Sequence, residues 1–440
     1  FQTGEFWTYV WTRDLAYSVD LALGAFDPAR AVSSLLFKTS ALKPGLTDGF
    51  ARQIVQDTGS GGSYPVSSDR VVWALGADAA LRALDGAARA DFLAQTYAIL
   101  RDTLELDRVL LFDPADGLYR GEQSFLDWRE QTYPLWTKEH TLPLALSKAL
   151  STNVLHFAAL QRAADYAARL DRPDDAARYR AWAAALHAAI NAQFWDADAG
   201  LYSTYLLSDG GPAVRAARYD LLGLSLAILH GVASPAQADA ILRAYPTGPH
   251  GPSVVWPQER AVPIYHNQGI WPFVTAYWLK AARAAGHAAV IDHALASLET
   301  QAAENLSHME NFDWVTGRAE VKGAERDGPV VNSRRQLWSV AGYLSAVQDI
   351  VFGLETTWDG LRFQPSLTAH ARRATFGGSA QLEWRDFIWR GTRHTVRVHL
   401  PAVPANATGL CRVARVTLNG RDTGGVFVPA TDLAVHNTWE

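Results

Sequence analysis

Apolar residues recur with a helical period through most of the chain. Leu93, Tyr97, Leu100 and Leu104 fall on one face of a helix at this spacing. Asp27-Pro28 and Ser234-Pro235 read as N-caps followed by proline at the first helical position. Pro173-Asp174-Asp175 puts a proline and two acids in a first turn, where the helix dipole favours negative charge. Together these signals predict about twelve helices, starting near residues 14, 28, 68, 86, 138, 151, 173, 218, 234, 267, 287 and 334. Twelve helices make six hairpins. Leu221–Leu229 and Ala276–Ala285 lack a clean polar face, so they are expected to be buried on all sides. An inner ring of such helices, wrapped by amphipathic ones, accounts for the mixture.

The stretches joining the helices are long and rich in Gly, Pro and aromatics, at residues 43–67, 106–137, 195–217, 244–266 and 303–333. Loops of this length in a compact domain are usually functional. Beyond residue 356 the pattern changes. Thr395-Val396-Arg397-Val398-His399-Leu400 alternates as a half-buried strand does, and Val416-Thr417-Leu418 runs into the hairpin signal Asn419-Gly420. The expectation is a mainly α domain over residues 1–355 and a small antiparallel, sandwich-like β domain over residues 356–440.

Composition narrows the classes. The 440 residues are 48% hydrophobic, enough for a large core, and the formal net charge is −5 with both signs scattered. No basic stripe marks a nucleic-acid partner. No apolar run reaches the ~18 residues of a membrane span. The lone Cys411 excludes an internal disulfide framework and a cysteine-based metal site. The sequence opens at Phe1 and holds a single methionine, Met309, which suggests a processed chain or a fragment. An exported location, periplasmic or secreted, is favoured, and the Ala- and Arg-rich composition looks bacterial.

Sixteen tryptophans change the picture further, because several neighbour charges: Trp11-Thr12-Arg13-Asp14, Asp127-Trp128-Arg129 and Asp313-Trp314. Aromatic faces beside carboxylates suit sugar rings, which are apolar on the face and hydroxylated at the edge. Two acidic clusters stand out, Glu122–Glu130 and Met309–Arg318. Cleaving an acetal needs a proton for the leaving oxygen and a base or nucleophile on the other side. Asp127 is the candidate acid, with Leu126 and Trp128 placed to desolvate it, and Glu130 is its rival. Glu310 is the second carboxylate, with His308 and Asn311 placed to orient it. Each also has a plain structural reading: Asp127 and Arg129 as an ion-pair network, and Glu310 as an ordinary loop glutamate. Arg13 and Asp14 can hold neighbouring hydroxyls of a terminal sugar, although Asp14 equally suits an N-cap.

These residues resemble the six-hairpin glycosidases, among them glycoside hydrolase family 63, trehalase and glucoamylase. Trp11-Thr12-Arg13-Asp14 resembles the sugar-gripping Trp-x-Arg-Asp segment. Glu122-x-Ser124-x-x-Asp127-Trp128 resembles the segment bearing the general acid, without its glycine. Met309-Glu310-Asn311-Phe312-Asp313, Thr316-Gly317 and Gln336-Leu337-Trp338-Ser339 resemble the pattern in which the glutamate is the general base. His266-Asn267-Gln268-Gly269-Ile270-Trp271-Pro272 is similar to a pocket-lining run of the wider group. Tyr219–Leu226 lacks the Asn-Gln of the corresponding helix.

The resemblance implies an (α/α)6 toroid and an inverting, exo-acting glycoside hydrolase on α-glucoside- or α-mannoside-like substrates. Asp127 would be the acid and Glu310 the base, about 6.5–9.5 Å apart to leave room for water. Trp11, Arg13, Asp14, Trp128, Arg129, Glu130, His266, Gln268 and Trp271 would shape the first subsite, with Asp69 and Arg70 reaching the same mouth. The chemistry needs no metal or other cofactor, although some relatives carry a structural calcium ion. The partner is an oligosaccharide or glycoside. The rival readings are a toroid-fold phosphorylase, a polysaccharide lyase using Tyr133 or His140 as base, and a degenerate carbohydrate-binding protein.

Overall fold

The computed structural model describes residues 1–41, 52–55, 64–127, 129–138, 140, 142–208, 211–259, 265–319 and 332–440, without the side chains of Glu130 and Lys138. Trp128 and much of the loops 43–67 and 303–333 lie outside the described residues, as does the Glu130 side chain.

Among the described residues, eleven principal helices fill the first 351 positions. Helix α1, Thr12–Ser18, runs through a π-helical turn, Val19–Leu23, to Gly24–Phe26. It is followed by α2 (Pro28–Phe37), α3 (Trp73–Ala83, after a 3-10 turn at Asp69–Val72) and α4 (Gly86–Leu110). Then come α5 (Leu150–Arg169), α6 (Pro173–Phe194), α7 (Leu221–Leu229) and α8 (Pro235–Ala244). Helices α9 (Pro272–Ala285), α10 (Ala288–Asn305) and α11 (Leu337–Ser345, continuing as a π-helical turn Ala346–Val351) complete the series.

Local chemistry sets these boundaries. The Asp27 carboxylate accepts from the Arg30 amide at 3.1 Å, and Pro28 follows it. Ser234 and Gln237 form a reciprocal capping box around Pro235. Leu93, Tyr97, Leu100 and Leu104 are buried along α4, as their spacing predicts. The start expected near residue 138 gives only a 3-10 turn, Leu135–Lys138, and a five-residue helix, Leu142–Leu146. The apolar run there is short, and Lys148-Ala149 directly after it is drawn into strand pairing with Tyr205-Leu206.

Helices α1, α3, α5, α7, α9 and α11 pack in that order, each on the next, and α11 returns to α1. Leu221, Leu222, Leu224 and Leu226 of α7 and most of α9 are buried, which explains their lack of a polar face. The helices α2, α4, α6, α8 and α10 pack outside this ring against their sequence neighbours.

The C-terminal sheets begin at Leu354. A three-stranded sheet (Leu354–Thr356, Gly360–Phe363, Phe427–Pro429) and a five-stranded one share a core of Leu361, Phe363, Trp389, Val396, Val428 and Trp439. Strand Thr392–His399 carries the expected alternation, and Thr417-Leu418 turns at Asn419-Gly420 into Arg421-Asp422. One pair departs from the antiparallel expectation: His436–Trp439 lies parallel to Thr392–His399, because the chain crosses over between them. Trp389 Nε1 and Arg390 donate to the Arg82 carbonyl at 3.2 and 2.9 Å, fixing these sheets to the end of α3.

Arg70 is part of the core. Its guanidinium grips Asp107 with two bonds, at 3.0 and 2.7 Å, while His156 Nε2 lies 3.3 Å from the same carboxylate. Both members of the pair are buried. Arg70→Ala should therefore strand a buried carboxylate and cost about 3–5 kcal/mol, measured by equilibrium denaturation.

Candidate active site

Every inner helix begins at one end of the molecule, and the acidic clusters gather there. Arg13 and Asp14 lie in the first turn of α1, and Asp69 precedes α3. The acidic segment at 122–127 is tied to the start of α5: Ser151 Oγ accepts from the Ser124 amide at 2.9 Å, and Thr152 Oγ1 donates to the Glu122 carbonyl at 2.6 Å. Asp220 caps α7 by accepting from the Gly223 amide at 2.6 Å. Trp271 stands at the N-cap of α9 and Gln336 at that of α11.

Pairing of Gly269-Ile270 with Phe312-Asp313 carries the 265–271 run alongside Glu310. Gly269 permits this close fit, since a Cβ there would lie 2.0 Å from the Tyr265 carbonyl oxygen. That carbonyl also accepts from Trp271 Nε1 at 2.9 Å.

Glu310 is only 2% exposed. Tyr265 Oη donates to its Oε1 at 2.9 Å, the Ser333 amide to its Oε2 at 3.0 Å, and Trp7 Nε1 reaches both oxygens at 3.2 and 3.3 Å. Burial pushes its pKa up to about 7, against the pull of those three donors, and the negative charge of Asp127 adds to the rise. Its amide donates to the Ser333 carbonyl at 2.9 Å and to Asn332 Oδ1 at 3.1 Å. His308 packs instead on Tyr343, and Asn311 offers its carbonyl to Asn332.

The Asp127 side chain is 13% exposed, while the neighbouring Leu126 is buried in the core. Arg13 Nη2 donates to Asp127 Oδ2 at 2.7 Å, and its Nη1 reaches Asp69 Oδ2 at 3.3 Å. Asp69 also accepts from Ser124 Oγ at 2.8 Å, and that hydroxyl shares a 2.8 Å hydrogen bond with Tyr17. His266 Nε2 stands 4.0 Å from Asp127 Oδ1. Burial drives its imidazole well below the usual histidine range, so it is neutral.

Arg13, Asp69, His266, Asp127 and Glu310 are thus brought together. Asp14 is buried in the first turn of α1, one turn past the N-cap at Trp11. Trp11 is half-buried and packs on Trp7, with ring centroids 5.2 Å apart. Gln268 is half-buried and its carbonyl accepts from the Trp314 amide at 2.8 Å. Trp271 is buried among Phe125, Tyr265, His266 and Trp338. Arg129 pairs with Glu122 at 2.6 Å. Glu122 is fully buried, and burial raises its pKa to about 8 even so. Arg70 lies away from this group, in the core pair described above. Tyr133 is buried, its hydroxyl taken by the Gln123 amide at 3.1 Å, and His140 is exposed. Among the described residues, no group of three His, Cys, Asp or Glu side chains is arranged to hold a metal ion such as calcium. No described helix is long and apolar enough to cross a membrane.

Sequence reasoning missed Trp7 and Tyr265. Tyr265 directly precedes the His266-Asn267 run and Trp7 precedes the Trp11 segment, but neither carries a local sign of the glutamate it reaches.

With the two carboxylates in one region, the comparison with known proteins is decisive. Residues 8–339 match the family model of the mannosylglycerate hydrolase MGH1-like glycoside hydrolase domain. The chain belongs to this family. It is a glycoside hydrolase acting in carbohydrate metabolism. The structure is similar to a GH63 mannosylglycerate hydrolase from Thermus thermophilus in complex with Tris and D-glycerate, with TM-score 0.56 and 15% identity over 78% of this chain and 95% of that one. The same enzyme in complex with glucose gives TM-score 0.54 and 16% identity over 76% and 92%. A GH78 family rhamnosidase of a Bacillus species is also similar, at TM-score 0.50 and 16% identity, over 76% of this chain and 32% of that one. None of the curated proteins compared matches the chain.

The Tyr265 bond favours ionised Glu310. In Tyr265→Phe the Glu310 pKa should rise above about 7 by about 1–2 units, the worth of a hydrogen bond to a charged group. The carboxyl shift of labelled glutamate, assigned by its loss in Glu310→Gln, reads this titration.

Proposed function

We propose that this hydrolase is an inverting, exo-acting enzyme for small α-glucosides or α-mannosides, with Glu310 as general base and Asp127 as general acid. One observation carries the reading: Asp127 and Glu310, far apart in the chain, flank the adjacent residues Tyr265 and His266, with Tyr265 Oη 2.9 Å from Glu310 and His266 Nε2 4.0 Å from Asp127. The ring of six inner helices with outer partners supports an (α/α)6 toroid, and the domain boundary belongs near residue 355, where helices give way to strands. Names of the similar structures, a mannosylglycerate hydrolase and its glucose complex, support gluco- and manno-configured substrates. An exported location is part of the same reading.

In this mechanism, Glu310 takes a proton from a water molecule, and that water attacks the anomeric carbon. Asp127 gives its proton to the departing oxygen on the opposite face, so the glycosidic bond breaks as the new C–O bond forms. Arg13 is shared between Asp69 and Asp127 in the free protein. In this reading the Arg13 guanidinium, which donates to Asp127 Oδ2 at 2.7 Å, fixes the position of the acid. His266, buried and neutral, shapes the floor beside Asp127 without adding a charge.

Glu310→Gln and Asp127→Asn should each lower kcat by about 10²–10⁴-fold on a responsive α-glycoside. NMR of the first-formed sugar should show the β-anomer, and an initial α-anomer would end the inverting assignment. Because the base must be ionised, kcat/KM should fall as pH drops below about 7, the Glu310 value, and this limb should vanish in Glu310→Gln.

A further inference from the structure

The inner helices have a second meeting point. Their C-terminal halves line a partly open cavity of about 480 Å³ at the end opposite Asp127 and Glu310, bordered on its far side by Leu354–Thr356, Gln364 and Ser366. Both π-helical turns contribute to its wall, Val19–Leu23 through Asp20 and Ala346–Val351 through Gln348 and Asp349. Such turns interrupt the regular ladder and occur frequently at functional sites. Here each places a carboxylate against α9: Tyr277 Oη donates to Asp20 at 2.7 Å, and Lys280 Nζ to Asp349 at 2.7 Å.

The charges of the wall balance. Arg82, Arg162, Lys280 and Arg283 are positive. Against them stand Asp20, Asp349 and Glu355, with Asp78 behind Arg82. The converging helix C-termini add partial negative charge, which disfavours an anion. No group of three metal-ligating acids or histidines among the described residues favours a metal ion. What the wall offers is a mixture of donors and acceptors. Gln348 is nine-tenths buried, and its Oε1 has no hydrogen-bond partner in the protein. Arg162 Nε and His230 Nε2 are likewise buried without one, although Arg162 Nε keeps a longer ion pair with Asp78 Oδ2 at 3.8 Å, and burial drives His230 down to about 3, so it is neutral. Buried polar atoms left unmatched are costly, so a ligand that matches them is favoured. Between them lie the small apolar side chains Ala22, Ala25 and Ala79.

We propose that this basal cavity is a second carbohydrate-binding site, taking a neutral, monosaccharide-sized polyol. Hydroxyls both donate and accept, which suits Gln348 Oε1 and Arg162 Nε at once, and ring C–H faces suit the alanines. The volume lies within the usual range of small-molecule sites, about 300–1,000 Å³. Since both the inner helices and the β segment supply the wall, an occupied cavity ties the two together.

Hydrogen exchange of the full chain with glucose and, separately, mannose tests this. Amides of 19–23 and 346–351 should exchange more slowly with at least one sugar, in a saturable manner. Gln348→Leu and Arg162→Met, which keep the side-chain bulk, should weaken that protection at least tenfold while kcat stays within twofold of the parent. Absence of protection with both sugars would overturn the proposal, as would unchanged protection in the folded variants. Should the variants fail to fold, the parent measurement alone decides. Since kcat is followed separately, loss of this site and failure of the Asp127–Glu310 assignment are told apart.

Discussion

The proposed mechanism depends on one buried carboxyl group and the three donors around it. Removing Glu310 from water favours its neutral form, whereas Tyr265, Trp7 and the Ser333 amide favour its charge. Neither side wins outright. The pKa comes to rest near 7, so the group gains and loses a proton within the range where an enzyme works. A more open glutamate would be ionised but weakly basic. One without donors would be strongly basic but mostly protonated. The donors come from three distant parts of the chain, so the fold must place all of them for the carboxyl to be poised.

The arrangement of the inner helices shows which force dominates. Their N-termini converge on the acidic end, and a helix N-terminus favours negative charge by about 0.3–1 kcal/mol, up to about 2 in partly buried geometries. Yet Asp220, the N-cap of α7, is raised to about 7, and Glu122, beside the start of α5, to about 8. Desolvation therefore outweighs the dipoles here. Glu122 and Asp220 are fully buried and locked to Arg129, Gly223 and their neighbours, so their protons serve structure. Asp127 has a partly exposed side chain, and Glu310 is in contact with the half-buried Trp7, which sets these two acids apart from the locked pair.

Much of the helical order was legible in the residues. Asp27-Pro28 and Ser234-Pro235 announce caps through short-range chemistry, and the caps form as written. The all-apolar character of Leu221–Leu229 reports burial on every side, and α7 is buried. The acidic clusters at 127 and 310 were visible because their neighbours are unusual. What could not be read was distance. Trp7 reaches Glu310 across the whole domain, and Tyr265 does so only because Gly269-Ile270 pairs with Phe312-Asp313. Two-residue pairings leave no periodicity to detect. Arg70 misled in a related way: the sequence places Asp69 and Arg70 at one mouth, yet a 3-10 turn sends Asp69 to Arg13 and Arg70 to Asp107 in the core.

The 3-10 turn also shows why neighbouring charges can have opposite duties. Consecutive residues on a tight helix point about 120° apart, so Asp69 and Arg70 cannot serve one surface. Asp69 holds Arg13, and Arg13 holds Asp127. Arg70 neutralises Asp107 and fixes α4 behind them, with His156 of α5 on the same carboxylate. The mobile proton chemistry at the mouth therefore rests on a fixed ion pair beneath it. The two meet in one turn of backbone, Asp69–Val72.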